Sequence, residues 1–260
     1  MSQTVPPYVE GHDLLAGKTV LVTAAAGTGI GFAVARRCAE EGAVVMISDI
    51  HARRLGEAVE TLEQLSGRRP ASRLCNVTEE ADVRALIDAA ISELGRIDVL
   101  INNAGLGGTA NVVEMTDEQW DAVIGITLTG TFRMTRAALP HMQERGSGVI
   151  VNNASVLGWR AQQGQAHYAA AKAGVMALTR CSALEAAPYG VRVNAVSPSL
   201  ATHRFLAKVT PQEVLDELTA REAFGRGAEP WEVANVMVFL ASDYSSYMTG
   251  ECVAVSSQRA

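Results

Sequence analysis

The sequence holds four cysteines in 260 residues, and no two of them form a C-x-x-C pair. That spacing argues against a metal cluster or a disulfide framework. Cys38, Cys75, Cys181 and Cys252 are expected to behave as small apolar residues in a reducing compartment. Positive charge is also scarce: 22 Lys and Arg stand against 28 Asp and Glu, a formal net charge of −6. Nucleic acid is therefore a poor partner, because neutralising phosphates takes clustered Lys and Arg. The basic pairs Arg53–Arg54 and Arg68–Arg69 fall in a helix-like stretch and a turn, where a solvated surface explains them. No apolar run approaches the ~20 residues of a membrane-spanning helix. The opening MSQTVPPYVEGHDLL lacks the basic start and apolar stretch of a secretory signal. These absences predict a cytoplasmic protein with no metal site, no membrane partner and no nucleic-acid partner.

What is present is a rhythm. Short β-branched runs begin at Thr19 (TVLVTA), Val44 (VVMISD), Ser72 (SRLCNV), Val99 (VLINNAG), Gly148 (GVIVNNAS), Val191 (VRVNAVSP) and Glu251 (ECVAVS). Helical patterns separate them over 30–41, 53–65, 79–94, 117–143, 168–187 and 232–240. Near-continuous apolar strands alternating with helices predict one doubly wound α/β domain over residues 1–260 with a parallel sheet covered on both faces. Residues 1–16 read as an N-terminal extension. Ser199–Gly227 breaks the rhythm and mixes polar with aromatic residues. In this fold class ligands bind beyond the carboxyl ends of the strands, so this insertion is a candidate substrate-binding segment.

The first strand runs into TAAAGTGIG, and a helix follows. Glycines there let backbone approach a pyrophosphate, and the helix N-terminus offers unpaired N–H groups and a positive dipole end. Gly27, Thr28, Gly29, Ile30 and Gly31 are the candidate cofactor-binding residues of this turn, although Phe32 occupies the last position of a strict G-x-G-x-x-G. The second strand ends at Asp49, whose carboxylate suits ribose hydroxyls and repels a 2′-phosphate; capping the following helix is its alternative role. NAD is therefore expected, with Arg53 and Arg54 leaving NADP open. Farther on, HYAAAKAGV places Tyr168 and Lys172 four residues apart, on one face of a helix. An ordinary tyrosine titrates near ~10, and a cation one turn away favours its phenolate.

Taken in order, GTGIG, INNAG, the serine of NNAS, Y-x-x-x-K, VRVNAVSP and YMTG resemble the short-chain dehydrogenase/reductase family over nearly the whole chain. That resemblance implies a Rossmann-like seven-stranded sheet, a nicotinamide cofactor, and a homotetramer or homodimer formed through the helices at 117–143 and 168–187. It also implies that Tyr168 exchanges a proton with an alcohol or ketone, that Ser155 holds the substrate oxygen, and that Lys172 holds the nicotinamide ribose and lowers the tyrosine pKa. Asn103, Ala104 and Gly105 would line the ribose side, Asn76 and Val77 the adenine, and Pro198 and Ser199 the nicotinamide amide. Asn102 and Asn103 have strand-end turn support as an alternative role.

The chain departs from the family pattern at several positions. Ala25 stands for an early glycine, Asn76 for an aspartate whose acceptor role the amide carbonyl can still fill, Ser199 for the glycine after Pro198, and SSQRA for the usual tail. Thr127 stands where the family has the asparagine of its proton relay, and Thr127 is expected to serve a rearranged relay. Gly107, Gly108, Leu157, Trp159, Gln162 and His167 are expected to face a pocket for a bulky apolar alcohol or ketone. Trp159 and Phe205 read by default as core, and His203 as surface. TAAAGTGIG, NNASVLGWRAQ and SSQRA further resemble actinobacterial short-chain dehydrogenases of steroid-ring breakdown, which implies a bicyclic indane-carboxyl coenzyme A ester met by Arg160 or Arg204. An acyl-carrier-protein-linked 3-oxoacyl reductase and a non-catalytic NAD sensor are the alternatives.

Overall fold

The computed structural model describes residues 4–202, 206 and 212–257. Seven strands form a single sheet: β1 (Thr19–Val22), β2 (Val44–Asp49), β3 (Ala71–Leu74), β4 (Val99–Asn102), β5 (Gly148–Asn153), β6 (Val191–Pro198) and β7 (Cys252–Val255). Their order is β3-β2-β1-β4-β5-β6-β7 and every pairing is parallel. The connecting helices are α1 (Ile30–Glu40), α2 (Ala52–Ser66), α3 (Glu80–Leu94), α4 (Asp117–Ile124), α5 (Gly130–Arg145), α6 (Ala166–Ala186), α7 (Gln212–Arg221) and α8 (Pro230–Ala241).

Side chains alternate across a strand, so one strand feeds two cores. Val20 and Val22 of β1 join Val45, Ile47, Val99 and Ile101 in the core under α1, α2 and α8. Leu21 points the other way and joins Met46, Leu100 and Ile150 under α3, α5 and α6. The predicted doubly wound sheet and most of its element boundaries stand. β3 is the exception to the apolar pattern. It is an edge strand, and Ser72, Arg73 and Leu74 are exposed.

The helix expected over 117–143 is not continuous. Gly125–Thr129 forms a π-helical turn, in which Gly130 N–H donates to the Gly125 carbonyl five residues back. One extra residue is thereby looped into the helix at the position of Thr127, and such bulges often sit at functional sites. Trp159, expected by default in the core, is exposed, and so is Cys181. His203, Arg204 and Phe205 lie outside the described residues, as do the last three residues of SSQRA.

The N-terminal extension is a strap across α1. Arg37 and Glu41 are both buried and paired at 2.6 Å, and the other Glu41 oxygen accepts the His12 and Leu14 N–H groups at 2.8 and 3.1 Å. Arg37 also donates to the Val9 carbonyl at 2.8 Å. Tyr8 bonds Glu40 at 2.6 Å and meets Trp231 of α8 edge-on at 5.3 Å. The α1–α2 side of the sheet, which carries the glycine turn, is thus tied down by residues preceding the first strand.

Glu41→Ala would leave the Arg37 guanidinium buried without this carboxylate and two backbone N–H groups without an acceptor. It should lower the unfolding free energy by about 3–5 kcal/mol in urea titrations, and a loss under about 1 kcal/mol would show that the strap does not anchor α1.

Candidate functional site

The carboxyl ends of β4 and β5 carry the same doublet, Asn-Asn, in register: Asn102 pairs with Asn152 across the ladder. Alternation sends the two members of each doublet to opposite faces. On one face Asn102 Nδ2 donates to Asn152 Oδ1 at 2.9 Å and to Thr135 Oγ1 at 3.1 Å. Asn152 Nδ2 continues the chain to Thr179 Oγ1 at 2.9 Å, so β4 and β5 are fastened to α5 and α6. On the other face Asn153 Nδ2 donates to Asn103 Oδ1 at 3.0 Å. Asn103 Nδ2 then donates to the Thr23 and Ala24 carbonyls at 3.2 and 3.0 Å. The second chain reaches the glycine turn.

Beyond the Asn153 side chain, its carbonyl accepts the Lys172 Nζ at 2.5 Å. Ser155 follows two residues later, near enough to the Tyr168 hydroxyl to favour its ionised form, and its Oγ accepts the Leu157 N–H at 3.2 Å. Lys172 Nζ lies 5.5 Å from the centre of the Tyr168 ring. Ser155, Tyr168 and Lys172 are therefore brought together by the end of β5 and the first two turns of α6. Gly105, at the exit of β4, completes the group: a Cβ placed on it would stand 3.5 Å from Lys172 Nζ and 3.7 Å from Thr127 Oγ1.

The electrostatics differ from the sequence expectation. Lys172 was expected to lower the Tyr168 pKa by its charge. Burial instead dominates both groups, pushing the Tyr168 hydroxyl above its usual value and the Lys172 ammonium down to about 7. What pulls Tyr168 back is the Ser155 hydroxyl. Thr127 is buried, and its hydroxyl is engaged twice by one residue. It accepts the Leu106 N–H at 3.0 Å and donates to the Leu106 carbonyl at 3.2 Å. The π turn delivers Thr127 as a brace for the loop that leaves β4.

A nicotinamide dinucleotide is tested by the glycine turn itself. The first turn of α1 has no side-chain cap on its N–H groups, which is what an anion site at a helix N-terminus requires. Gly27 has φ +109°, and nothing stands within 4 Å of a Cβ added there. At Gly31 a Cβ would fall 2.3 Å from the Ala24 carbonyl and 2.4 Å from Asn103 Nδ2, so only glycine fits. Thr28, Gly29 and Ile30 complete the turn. Ala25 tolerates its Cβ and is fully buried; the strained residue is Ala24, with φ +50°. The Asp49 carboxylate reaches the turn, accepting the Ala26 N–H at 3.2 Å and the His51 N–H at 3.0 Å. α2 is entered through His51, so Asp49 is not its cap. Burial raises the Asp49 pKa, opposed by the Ala26 N–H and by Arg54, 3.8 Å away. The residues present fit the dinucleotide.

Other expected positions are distributed around this centre. Ala104 N–H donates to Thr23 Oγ1 at 3.1 Å. Val77 packs where a Cβ on Gly130 of α5 would intrude at 2.6 Å. The Asn76 side-chain oxygen Oδ1, expected from the sequence to meet adenine, accepts the Thr78 N–H and hydroxyl at 3.1 and 2.9 Å. An Asx turn has taken up that acceptor. Pro198 ends β6 beside Val255, and the Ser199 N–H donates to the Val255 carbonyl at 3.1 Å. His167 is buried at 2% exposure, not open to a pocket. Thr23 and Asn153 were missed in the sequence; the repeated Asn-Asn at two strand ends was the available signal for Asn153. Among the described residues no group of three or more His, Cys, Asp or Glu could hold a metal ion, and no helix is long and apolar enough to cross a membrane.

Comparison with known proteins agrees with this geometry. A family model described as Enoyl-(Acyl carrier protein) reductase matches residues 24–257. The chain is 62% identical over 254 residues, 97% of each sequence, to the (5R,7aS)-5-hydroxy-7a-methyl-1-oxo-2,3,5,6,7,7a-hexahydro-1H-indene-carboxyl-CoA reductase of Mycobacterium tuberculosis. It is 41% identical over 241 residues to a 3-oxoacyl-[acyl-carrier-protein] reductase of Thermotoga maritima, covering 93% of this chain and 97% of that one. The crystal structure of a short chain dehydrogenase from Mycobacterium smegmatis superposes with a TM-score of 0.88 at 58% identity, covering 99% of both chains.

Because the folded protein holds Lys172 near pKa 7, against ~10.4 in an unfolded chain, the unfolded state binds more protons between those values. Stability contributed at this position therefore rises with pH through that window. Urea unfolding of wild type and Lys172→Met should show the wild type gaining on the variant from about pH 7 to about pH 10; a flat difference would mean that the ammonium keeps its ordinary pKa. Thr127→Val strips the Leu106 backbone of its partners and should cost about 1–3 kcal/mol of stability, measured the same way.

Proposed function

The chain belongs to the short-chain dehydrogenase/reductase family, oxidoreductases acting on hydroxyl or ketone groups with a nicotinamide dinucleotide, and we propose that it interconverts a bulky cyclic secondary alcohol and its ketone, carried as a coenzyme A thioester, using NAD. The observation that carries the reaction is the convergence of Ser155, Tyr168 and Lys172 at the end of β5. The substrate class rests on the 62% identical relative, whose name describes a hydroxy-indene-carboxyl-CoA reductase.

In this reading the Tyr168 hydroxyl gives its proton to the substrate oxygen during reduction and takes it back during oxidation. Ser155 Oγ, beside the Tyr168 hydroxyl, orients the same oxygen. The dinucleotide, when bound, supplies or accepts the hydride. Lys172, with its pKa near 7, is poised to hold a proton close to the tyrosine at neutral pH and to bind a ribose hydroxyl. Thr127 keeps Gly105 and Leu106 in place beside it, a positioning role in place of the relay expected from its sequence position. Gly27 to Gly31 would hold the pyrophosphate, with Asn103, Ala104 and Gly105 on the ribose side, Val77 with Asn76 near the adenine, and Pro198 with Ser199 near the nicotinamide. Asp49 supports NAD over NADP. Its buried carboxylate repels a 2′-phosphate, and the neighbouring Arg54 cation is already drawn to it at 3.8 Å.

A cytoplasmic homotetramer or homodimer belongs to the same proposal. Trp120 of α4, Phe132 of α5 and Leu184 of α6 stand exposed on the helices that would form its interface.

Purified protein should oxidise or reduce cyclic hydroxyacyl coenzyme A esters faster with NAD(H) than with NADP(H). Tyr168→Phe should lose about 10²–10⁴-fold in turnover while its dinucleotide affinity stays unchanged. A preference for NADPH and acyl-carrier-protein thioesters would favour a 3-oxoacyl reductase, and tight NAD binding with no turnover of any alcohol or ketone would favour a sensor.

A further inference from the structure

The loop leaving β4 runs from Gly105 to Met115 without strand or helix, and ends at Thr116, whose side chain caps α4. A loop of that length and exposure would ordinarily be loose. Here it is fastened to the segment that precedes Tyr168. Gln165 Nε2 donates both of its hydrogens to the loop, one to the Gly108 carbonyl at 2.8 Å and one to Thr109 Oγ1 at 3.1 Å. The Ala110 N–H then donates to the Gly164 carbonyl at 3.0 Å. Contact is close enough to need glycine on both sides. A Cβ on Gly108 would stand 3.0 Å from His167 Nε2, and one on Gly164 would stand 2.9 Å from Thr109 Cγ2.

We propose that Gln165 is a positioning residue that clasps the β4–α4 loop to the start of α6, fixing one wall of the substrate site and selecting large rigid substrates over small ones. The proposal rests on the reaction assigned above, since the wall borders Tyr168 and Lys172. Two anchors hold that wall: Thr127 grips its first residues at Leu106, and Gln165 grips it at Gly108 and Thr109. Between and beyond the anchors the loop presents apolar side chains, with Leu106, Val112 and Val113 exposed and Glu114 its one charged residue. Such a surface suits a hydrocarbon ring and offers no cation to the phosphates of a coenzyme A tail. Preorganising the wall lowers the ordering cost only for substrates large enough to touch it. A small alcohol held by Ser155 and Tyr168 gains nothing from it.

The test compares wild type with Gln165→Met, which keeps the side-chain length and loses both donors. Amide hydrogen exchange at Ala110 should accelerate by about tenfold or more, as expected when a bond or two of ordinary strength is lost. For a cyclic hydroxyacyl coenzyme A ester, kcat/KM should fall about tenfold, mainly through KM. The value for a short open-chain secondary alcohol, the dinucleotide Kd and the pH profile of kcat should not change. Thr109→Val, which removes one bond from the loop side, should give the same pattern in smaller measure, and decides the matter if Gln165→Met does not fold. Unchanged exchange at Ala110, or equal losses for large and small substrates, would overturn the proposal. Should wild type turn over neither substrate, the assigned reaction fails, while the exchange measurement still decides whether Gln165 holds the loop.

Discussion

The register between β4 and β5 is the constraint on which the top of the sheet depends. Parallel strands present their side chains on fixed faces, and a shift of one residue would exchange those faces. The two Asn-Asn doublets make the register costly to change, because Asn102 and Asn152 are buried, Asn103 and Asn153 are half-buried, and their amides need partners. Asn102 and Asn152 find theirs on α5 and α6, through Thr135 and Thr179. Asn103 and Asn153 find theirs on the glycine turn. The turn that would cradle a pyrophosphate and the strand end that holds Lys172 are consequently parts of one rigid piece.

Burial governs the chemistry of that piece more than charge does. An ammonium and a phenol placed side by side in water would each stabilise the other's ionised form. Under this cover both are driven toward neutrality, and the backbone carbonyl of Asn153 and the hydroxyl of Ser155 are the groups that oppose it. The cost is met by elements that are themselves immobile: a strand end, a helix and a buried amide ladder. The site is thus preorganised by packing, and its polar groups are few and specifically placed.

Much of this was legible in the sequence because it follows from periodicity and from residue types that have few other uses. The alternation of apolar strands and helices gave the doubly wound sheet, and VVMISD and VRVNAVSP match β2 and β6 end to end. Tyr168, Lys172 and Ser155 were findable because their spacing and order are specific. What escaped notice has a common cause. A π turn over Gly125–Thr129 leaves an apolar pattern almost indistinguishable from an ordinary helix. The use of the Asn76 oxygen by Thr78 is a two-residue local choice that competes with any ligand. Direction of a pKa shift depends on how much surrounds a group, and burial is a property of the whole fold. Trp159 illustrates the same limit, since hydrophobicity alone assigned it to the core and the structure leaves it exposed.

The π turn also governs how this part of the chain tolerates insertions and deletions. A bulge of this kind holds one extra residue while the helix on either side keeps its facing. Removing any single residue between Gly125 and Thr129 would allow one unbroken helix to form, with perfectly good hydrogen bonding. The helix would then face as before on both sides, but the widened turn that sets the Thr127 hydroxyl against Leu106 would be gone. A deletion that looks harmless to the helix would thus release the loop that leaves β4, and length here is held as strictly as residue identity.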